Sequence, residues 1–387
     1  MIIKNVKIYM PDKKFVSGTI VTKEDKIWKV LPEGTGESYD AEEILDGKGS
    51  YCLPGMIDLH FHGCMGEDVC DGTVKAMDQL AAYEASIGVT AMAPATMTLP
   101  VEELEKVLAN AAAYKKRQEE GTAVPGADLV GINMEGPFIS KVKKGAQDER
   151  NIIPCDVEVY QRFQKAAEGL VKFIGIAPEE SETDEFIQTV KEEVSVSLAH
   201  TNADYNTAKH AFDLGADHAV HLYNAMPAFS HREPGVVGAV ADSRHVMAEL
   251  ICDGVHIHPA VVRATFKMMG EDRIILISDS MRAAGMPDGN YTLGGLEVEV
   301  HGNRATLTSD GALAGSVTPL PDCVRTAVKK MEIPLEAAIA CATINPAKSL
   351  KIDDRYGSIE EGKKADLVLW DEDLNLKTVI KDGKIFE

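Results

Sequence analysis

The sequence predicts an α/β protein: a (β/α)8 TIM-like barrel with a small β-sandwich domain built from both chain ends. Three observations carry this expectation. Short, almost wholly apolar runs recur through the middle of the chain, helical stretches separate them, and alternating strand patterns are confined to the two ends. Apolar runs without alternation are expected of parallel strands covered on both faces. Strand–helix repeats of this kind close into a barrel or open into a doubly wound sheet. No GxGxxG follows any of the runs, which disfavours the open sheet.

The first 52 residues read as strands with turns: IIKNVKIYM, then VSGTIVTKEDKIWKVL with a polar turn at Lys23–Lys26. Near the other end, ADLVLWDEDLNLKTVIKDGKIF holds two alternating runs and an Asp-Gly turn at Asp382–Gly383. Neither end buries much apolar surface alone. Residues 1–52 and 351–387 are therefore expected to form one small β-domain around a catalytic domain at 53–350. That middle holds eight runs: LPGMIDLHFH, GVTAMAPAT, DLVGINMEG, VKFIGIAPE, VSVSLAHT, DHAVHLYNA, HVMAELICDG and RIILISDS. Candidate helices include 101–120, 184–193, 205–214 and 258–269. Residues 290–310 read as a β-hairpin insertion, and LEAAIACATINPAKSL returns to helix.

At 387 residues, with 45% hydrophobic and 26% charged side chains, the chain has the make-up of a folded globular protein. Its formal charge of −21 argues against nucleic-acid and anionic-membrane partners, which it would repel. An anionic small substrate is still admissible, because a local basic pocket overrides the net field. No run approaches the length needed to cross a bilayer, and the N-terminus lacks the apolar core of a signal peptide. Seven cysteines without a CxxC pair point to reduced thiols, and a cytoplasmic location is expected.

A barrel carries its chemistry at the carboxyl ends of its strands. Read at those ends, the first run offers His60 and His62, the third Glu135, the fifth His200, the sixth His221 and the eighth Asp279. Two residues apart on a strand, His60 and His62 point to the same side. Four histidines and two carboxylates at one mouth suit a divalent transition metal such as zinc or iron, one or two ions per subunit. A lone histidine after an apolar run is more often a hydrogen-bonded structural residue. Four of eleven histidines at strand ends favour a metal instead. His60 and His62 fit either as ligands or as neighbours of a one-metal site built from Glu135, His200 and His221.

HFHG after the first strand, with the later histidines and the aspartate after the eighth, resembles the amidohydrolase superfamily. More closely, MEGPF (134–138), KKGAQ (143–147), AHTNA (199–203), HLYNAM (221–226), CDGVHIHP (252–259), SDSMRAAG (278–285) and LAGS (313–316) resemble the N-acetylglucosamine-6-phosphate deacetylase family. The resemblance covers nearly the whole chain. It implies metal-dependent hydrolysis of the acetamide of N-acetyl-D-glucosamine 6-phosphate, in amino-sugar catabolism. In that reaction metal-bound hydroxide attacks, and Asp279 acts as acid and base. A helix N-cap in SDS, or a further metal ligand, is the competing reading of Asp279.

By position, the resemblance implies Glu135, His200 and His221 as the main metal ligands. It implies Ala146, Asn224, Ala225, Arg232, His256, Leu313, Ala314 and Gly315 as substrate contacts. In the family the arginine equivalent to Arg232 reaches into the neighbouring subunit's site, so a homodimer is implied. Two departures stand out. Where many superfamily relatives end the fourth strand with a lysine that bridges two metals, this chain has IAPEE, so any bridge falls to Glu135. Where some close relatives have a histidine that helps polarise the acetamide carbonyl, this chain has Gln147. The competing functions are an amidohydrolase acting on a cyclic amide or a nucleobase, and a metal-free scaffold. Phosphate-side residues disfavour the first, and the complete ligand set disfavours the second.

Overall fold

The protein is described from a computed structural model, over residues 1–37, 39–41 and 43–386. Residues 38, 42 and 387, which belong to the two expected end segments, lie outside the described residues.

The alternating ends pair into one eight-stranded sheet. Ile2–Tyr9 runs antiparallel to Phe15–Lys23 and parallel to Tyr51–Pro54. Tyr51–Pro54 then pairs antiparallel with Leu367–Trp370, Leu367 opposite Pro54 and Trp370 opposite Tyr51. The two chain ends are thus stitched together just before the chain enters the catalytic region. Apolar residues hold them: Ile3, Val6 and Ile8 from one end bury against Leu367, Leu369 and Ile380 from the other. Lys381, only 5% exposed, lies 3.0 Å from Asp128 and 3.3 Å from Asp366, which anchors the sheet to the wall behind it.

The eight apolar runs become strands at Met56–Asp58, Val89–Met92, Ile132–Phe138, Val171–Ile176, Ser195–Leu198, His218–Ala219, Met247–Ile251 and Ile274–Ile277. Neighbours pair in parallel, Ile174 opposite Val196 and Leu250 opposite Leu276 among them. The second run is interrupted at Pro94, which has no N–H to give the ladder, and pairing resumes at Ala95–Thr96. The wall curls until its ends meet. The Asp279 amide donates to the His60 carbonyl at 2.9 Å, and the His62 amide donates to the Ser280 carbonyl at 2.7 Å.

Helices Val101–Glu119, Tyr205–Leu214 and Pro259–Met269 lie within one residue of their expected bounds. Thr183–Val190 stops short of residue 193, because the exposed Lys191, Glu192 and Glu193 turn the chain into the next strand. The expected hairpin has three strands: Gly289–Leu293, Leu296–His301 and Arg304–Leu307. Its first turn, Gly294–Gly295, has φ of 55° and 81°, which glycine adopts without strain. A Cβ at Gly294 would come within 2.9 Å of the Met97 side chain. Leu293 packs with Met97, Ala146 and Met281, so the insertion walls one side of the strand ends. Among the described residues no helix is long and apolar enough to cross a membrane.

Candidate metal centre

Of the six site residues, five lie just past strand ends, where the chain turns sharply, and Glu135 lies within the strand Ile132–Phe138. His200, His221 and Asp279 have left-handed backbones, with φ of 42°, 27° and 48°. That region costs a residue with a Cβ roughly 1–3 kcal/mol, so it persists only where the surroundings impose it. Here they do. The Ser140 amide donates to the His200 carbonyl, the His221 amide to Glu249, and the Ser316 amide to the Asp279 carbonyl, at 2.9, 3.1 and 2.7 Å.

Two trios result. His60, His62 and Asp279 form one; Glu135, His200 and His221 form the other. In each, one ligand atom per residue lies within 4.8 Å of the other two. Glu135 stands between them. Its Oε1 lies 2.7 Å from His221 Nε2, 3.0 Å from His200 Nε2 and 3.5 Å from His60 Nε2. Its Oε2 lies 3.4 Å from His62 Nε2. Asp279 Oδ1 lies 3.3 Å from His62 Nε2 and 3.8 Å from His60 Nε2. Asp279 caps no helix: the chain runs on to the Gly289–Leu293 strand, so the N-cap reading falls away.

Every ring is held from behind through Nδ1. His60 Nδ1 lies 2.8 Å from Glu249 Oε2, His62 Nδ1 2.9 Å from the Ala95 carbonyl, His200 Nδ1 2.9 Å from the Lys143 carbonyl and His221 Nδ1 3.2 Å from the Asn224 carbonyl. An oxygen acceptor requires the proton on Nδ1, so that in the neutral ring the Nε2 lone pair faces the centre. Among the described residues, His60 Nε2 is buried with no hydrogen-bond partner.

None of the six is more than 7% exposed. Burial would raise the Glu135 and Asp279 carboxyls, but the imidazoles around them hold both below the ordinary range, Glu135 far below. Burial would lower His60, His62 and His200, and the facing carboxylates outweigh it and raise all three. Among the described residues no lysine or arginine pairs with Glu135 or Asp279; their ion-pair partners are the histidines. Imidazoles in the metal-binding tautomer, facing buried carboxylates that lack a permanent cation, are the donor set that a divalent transition metal satisfies. The residues present fit such an ion.

Glu135, His62, His200, His221 and Asp279 line a cavity of about 390 Å³. Ala146, Asn224, Ala225, His256, Leu313 and Gly315 also line it, together with Met97, Lys143 and Leu293. Ala314 is fully buried behind Leu313 and Gly315. Arg232 does not line this cavity; it is exposed, and its Nη1 donates to His231 at 2.7 Å. A larger cavity of about 580 Å³ lies on the end-built sheet, but its lining offers no imidazole or thiol, so the chemistry points to the smaller one.

Gln147 lines the cavity and is already committed. Its Nε2 donates to Glu135 Oε2 at 2.7 Å and to the Glu135 carbonyl at 3.3 Å, and its Oε1 accepts from the Thr98 amide at 2.6 Å. It therefore orients Glu135 and has no free donor aimed at a substrate carbonyl. His256 Nδ1 lies 2.7 Å from Asp253 Oδ2; burial would lower this imidazole, but Asp253 raises it. Glu249 and His218 were not singled out from sequence, although a glutamate inside the apolar run HVMAELICDG is the signal that marks one of them. Both are fully buried beneath the trios.

Residues 51–386 match the Amidohydrolase family. The N-acetylglucosamine-6-phosphate deacetylase of Bacillus subtilis (strain 168) is 38% identical over 386 residues, covering 100% of this chain and 96% of that protein. The N-acetylgalactosamine-6-phosphate deacetylase of Escherichia coli O157:H7 is 35% identical, covering 88% of this chain and 89% of that protein. Among solved structures, N-acetylglucosamine-6-phosphate deacetylase from Pasteurella multocida superposes with a TM-score of 0.92 at 30% identity, covering 100% and 99% of the two chains. A match that spans the curled wall, the strand ends that carry the two trios and the returning C-terminal strands shows that the chain belongs to the amidohydrolase family.

Proposed function

We propose that the protein is a metal-dependent deacetylase that hydrolyses the acetamide of N-acetyl-D-glucosamine 6-phosphate to acetate and D-glucosamine 6-phosphate. One observation carries the reading: the carboxylate of Asp279 lies 3.3 Å from His62, beside the Glu135 trio and within a cavity that also receives His256. The similarity to the B. subtilis deacetylase supports the substrate.

Glu135, His200 and His221 would hold a divalent ion such as zinc or iron, with His60, His62 and Asp279 around a second position. When bound, such an ion lowers the pKa of water and polarises an amide carbonyl. The rest falls to the chain. Asp279, kept ionised by its histidines, accepts the proton of the attacking water as the new C–O bond forms. It returns that proton to the amide nitrogen as the C–N bond breaks, so that acetate and an amine leave. Gln147 keeps Glu135 turned toward both trios. His256, held toward its cationic form by Asp253, faces the phosphate, and Asn224, Ala225 and Ala146 meet the sugar through backbone and side-chain groups.

Arg232 would complete the phosphate grip from the neighbouring subunit of a homodimer, because it is exposed and absent from the lining of its own cavity. We read the curled wall, residues 53–350, as a (β/α)8 barrel, supported by the hydrogen bonds that join Asp279 to His60 and His62 to Ser280. The sheet from 1–52 and 351–387 we read as a β-sandwich, supported by the apolar cluster shared by both ends. Seven unpaired cysteines support a cytoplasmic location.

The test is acetate release from N-acetylglucosamine 6-phosphate, N-acetylgalactosamine 6-phosphate and unphosphorylated N-acetylglucosamine. The glucosamine phosphate is expected to give the highest kcat/KM. A preference for the galactosamine epimer would reassign the substrate, and no release from any of the three would overturn the function.

A further inference from the structure

Of the four imidazoles at the centre, three lean on neutral backbone carbonyls: His62 on Ala95, His200 on Lys143 and His221 on Asn224. His60 alone leans on a side-chain charge. Its partner Glu249 sits fully buried in the strand Met247–Ile251, and it is absent from the cavity lining. Three N–H donors converge on this carboxylate. Oε2 accepts from His60 Nδ1 at 2.8 Å and from the His221 amide at 3.1 Å; Oε1 accepts from His218 Nε2 at 2.9 Å. His218 in turn reaches Ser349 Oγ, 3.4 Å from its Nδ1. An acceptor met only by donors is a carboxylate, and no lysine or arginine pairs with it among the described residues. Burying such a charge is unfavourable unless its hydrogen bonds do something that a neutral residue cannot.

We infer that Glu249 is the positioning residue of the His60 trio. It fixes the Nδ1–H form of His60, and through that bond it lends negative charge to a ligand set that otherwise holds only Glu135 and Asp279. The same oxygen holds the amide of His221, so one carboxylate orients a ligand in each trio. His218 keeps it in place by binding the other oxygen. The inference rests on the two-position reading above, because Glu249 acts on the trio that a one-metal site would not need.

The experiment is zinc titration of the metal-stripped full-length chain against a competing chelator, for wild type and Glu249→Gln. Glutamine keeps the shape and can accept from His60, but it carries no charge. Wild type is expected to take up two ions. Glu249→Gln is expected to weaken one of them about 10–100-fold, the usual effect of removing a ligand's outer partner, and to leave the other within about threefold. Equal affinities in both proteins overturn the inference. Uptake of a single ion by wild type overturns it as well, while leaving a one-metal deacetylase intact; uptake of none overturns the metal reading itself. A second measurement does not depend on the variant folding. In a histidine-selective ¹⁵N spectrum of zinc-loaded wild type, with His60 assigned by its loss in His60→Gln, Nδ1 should be protonated and Nε2 metal-bound. The opposite tautomer overturns the proposal.

Discussion

The floor of the cavity and its rim are built by opposite means. At the floor, six side chains from one chain converge, and every imidazole is locked through its far nitrogen. The rim is proposed to be completed from outside: Arg232, absent from the lining of its own cavity, stands exposed on a loop beside His231. Bond making needs fixed geometry in a water-poor setting, which only a buried framework supplies. Recognition of a dianionic handle needs charge within reach, and a neighbouring copy can deliver it. Substitutions at the floor should therefore change metal content and turnover, and those at the rim should change KM alone.

The largest effect is expected at Glu135, which faces both trios. Glu135→Ala should abolish measurable acetate release and empty both metal positions, as read by metal analysis of the purified variant. A variant that keeps one full equivalent would show that the trios are independent. Asp279→Asn comes next. It should keep the ion of the Glu135 trio and lose about 10²–10⁴-fold in kcat, because an amide cannot carry the proton. Retention of a tenth of wild-type kcat or more would mean that the proton takes another route.

The floor was legible in the sequence because each of its six residues falls at or just past the end of an apolar run, and the curl of the wall gathers such ends. The supports beneath were not. Glu249 meets His60 across 189 residues of chain and His218 across 31, so no local pattern links them. In the sequence Gln147 stands out only for what it replaces; that it orients Glu135 follows from the loop's path back over the third strand. The third hairpin strand, Arg304–Leu307, is hard to separate in the sequence because GNRATL carries one weak turn signal. Assembly leaves no trace in the periodicity of a single chain, so Arg232 was legible only through resemblance.

At the rim, Arg232→Ala should raise KM for the 6-phosphate about ten- to a hundredfold and leave unphosphorylated N-acetylglucosamine unaffected, the loss expected of one charge-assisted bond. Mixing Arg232→Ala with Asp279→Asn sharpens this. If the arginine acts across the interface, mixed dimers hold one intact site and phosphate-dependent activity returns; if it acts within its own subunit, none returns although heterodimers form.

A smaller effect follows pH. Asp253 raises the His256 imidazole, so its charge persists above the ordinary histidine value of about 6.5. Phosphate binding gains from that charge at lower pH and loses it as pH climbs through the raised value. KM for the phosphorylated substrate should therefore rise a few-fold on the alkaline side, and His256→Asn should flatten that rise. An unchanged profile in the variant would remove His256 from the phosphate site.

The most direct test of the account is acetate release from N-acetylglucosamine 6-phosphate by the metal-stripped chain, followed as zinc or iron is added back. The account predicts that stripping abolishes release and that activity returns in proportion to bound metal until the buried centre is filled. Undiminished release from the fully stripped chain would contradict it.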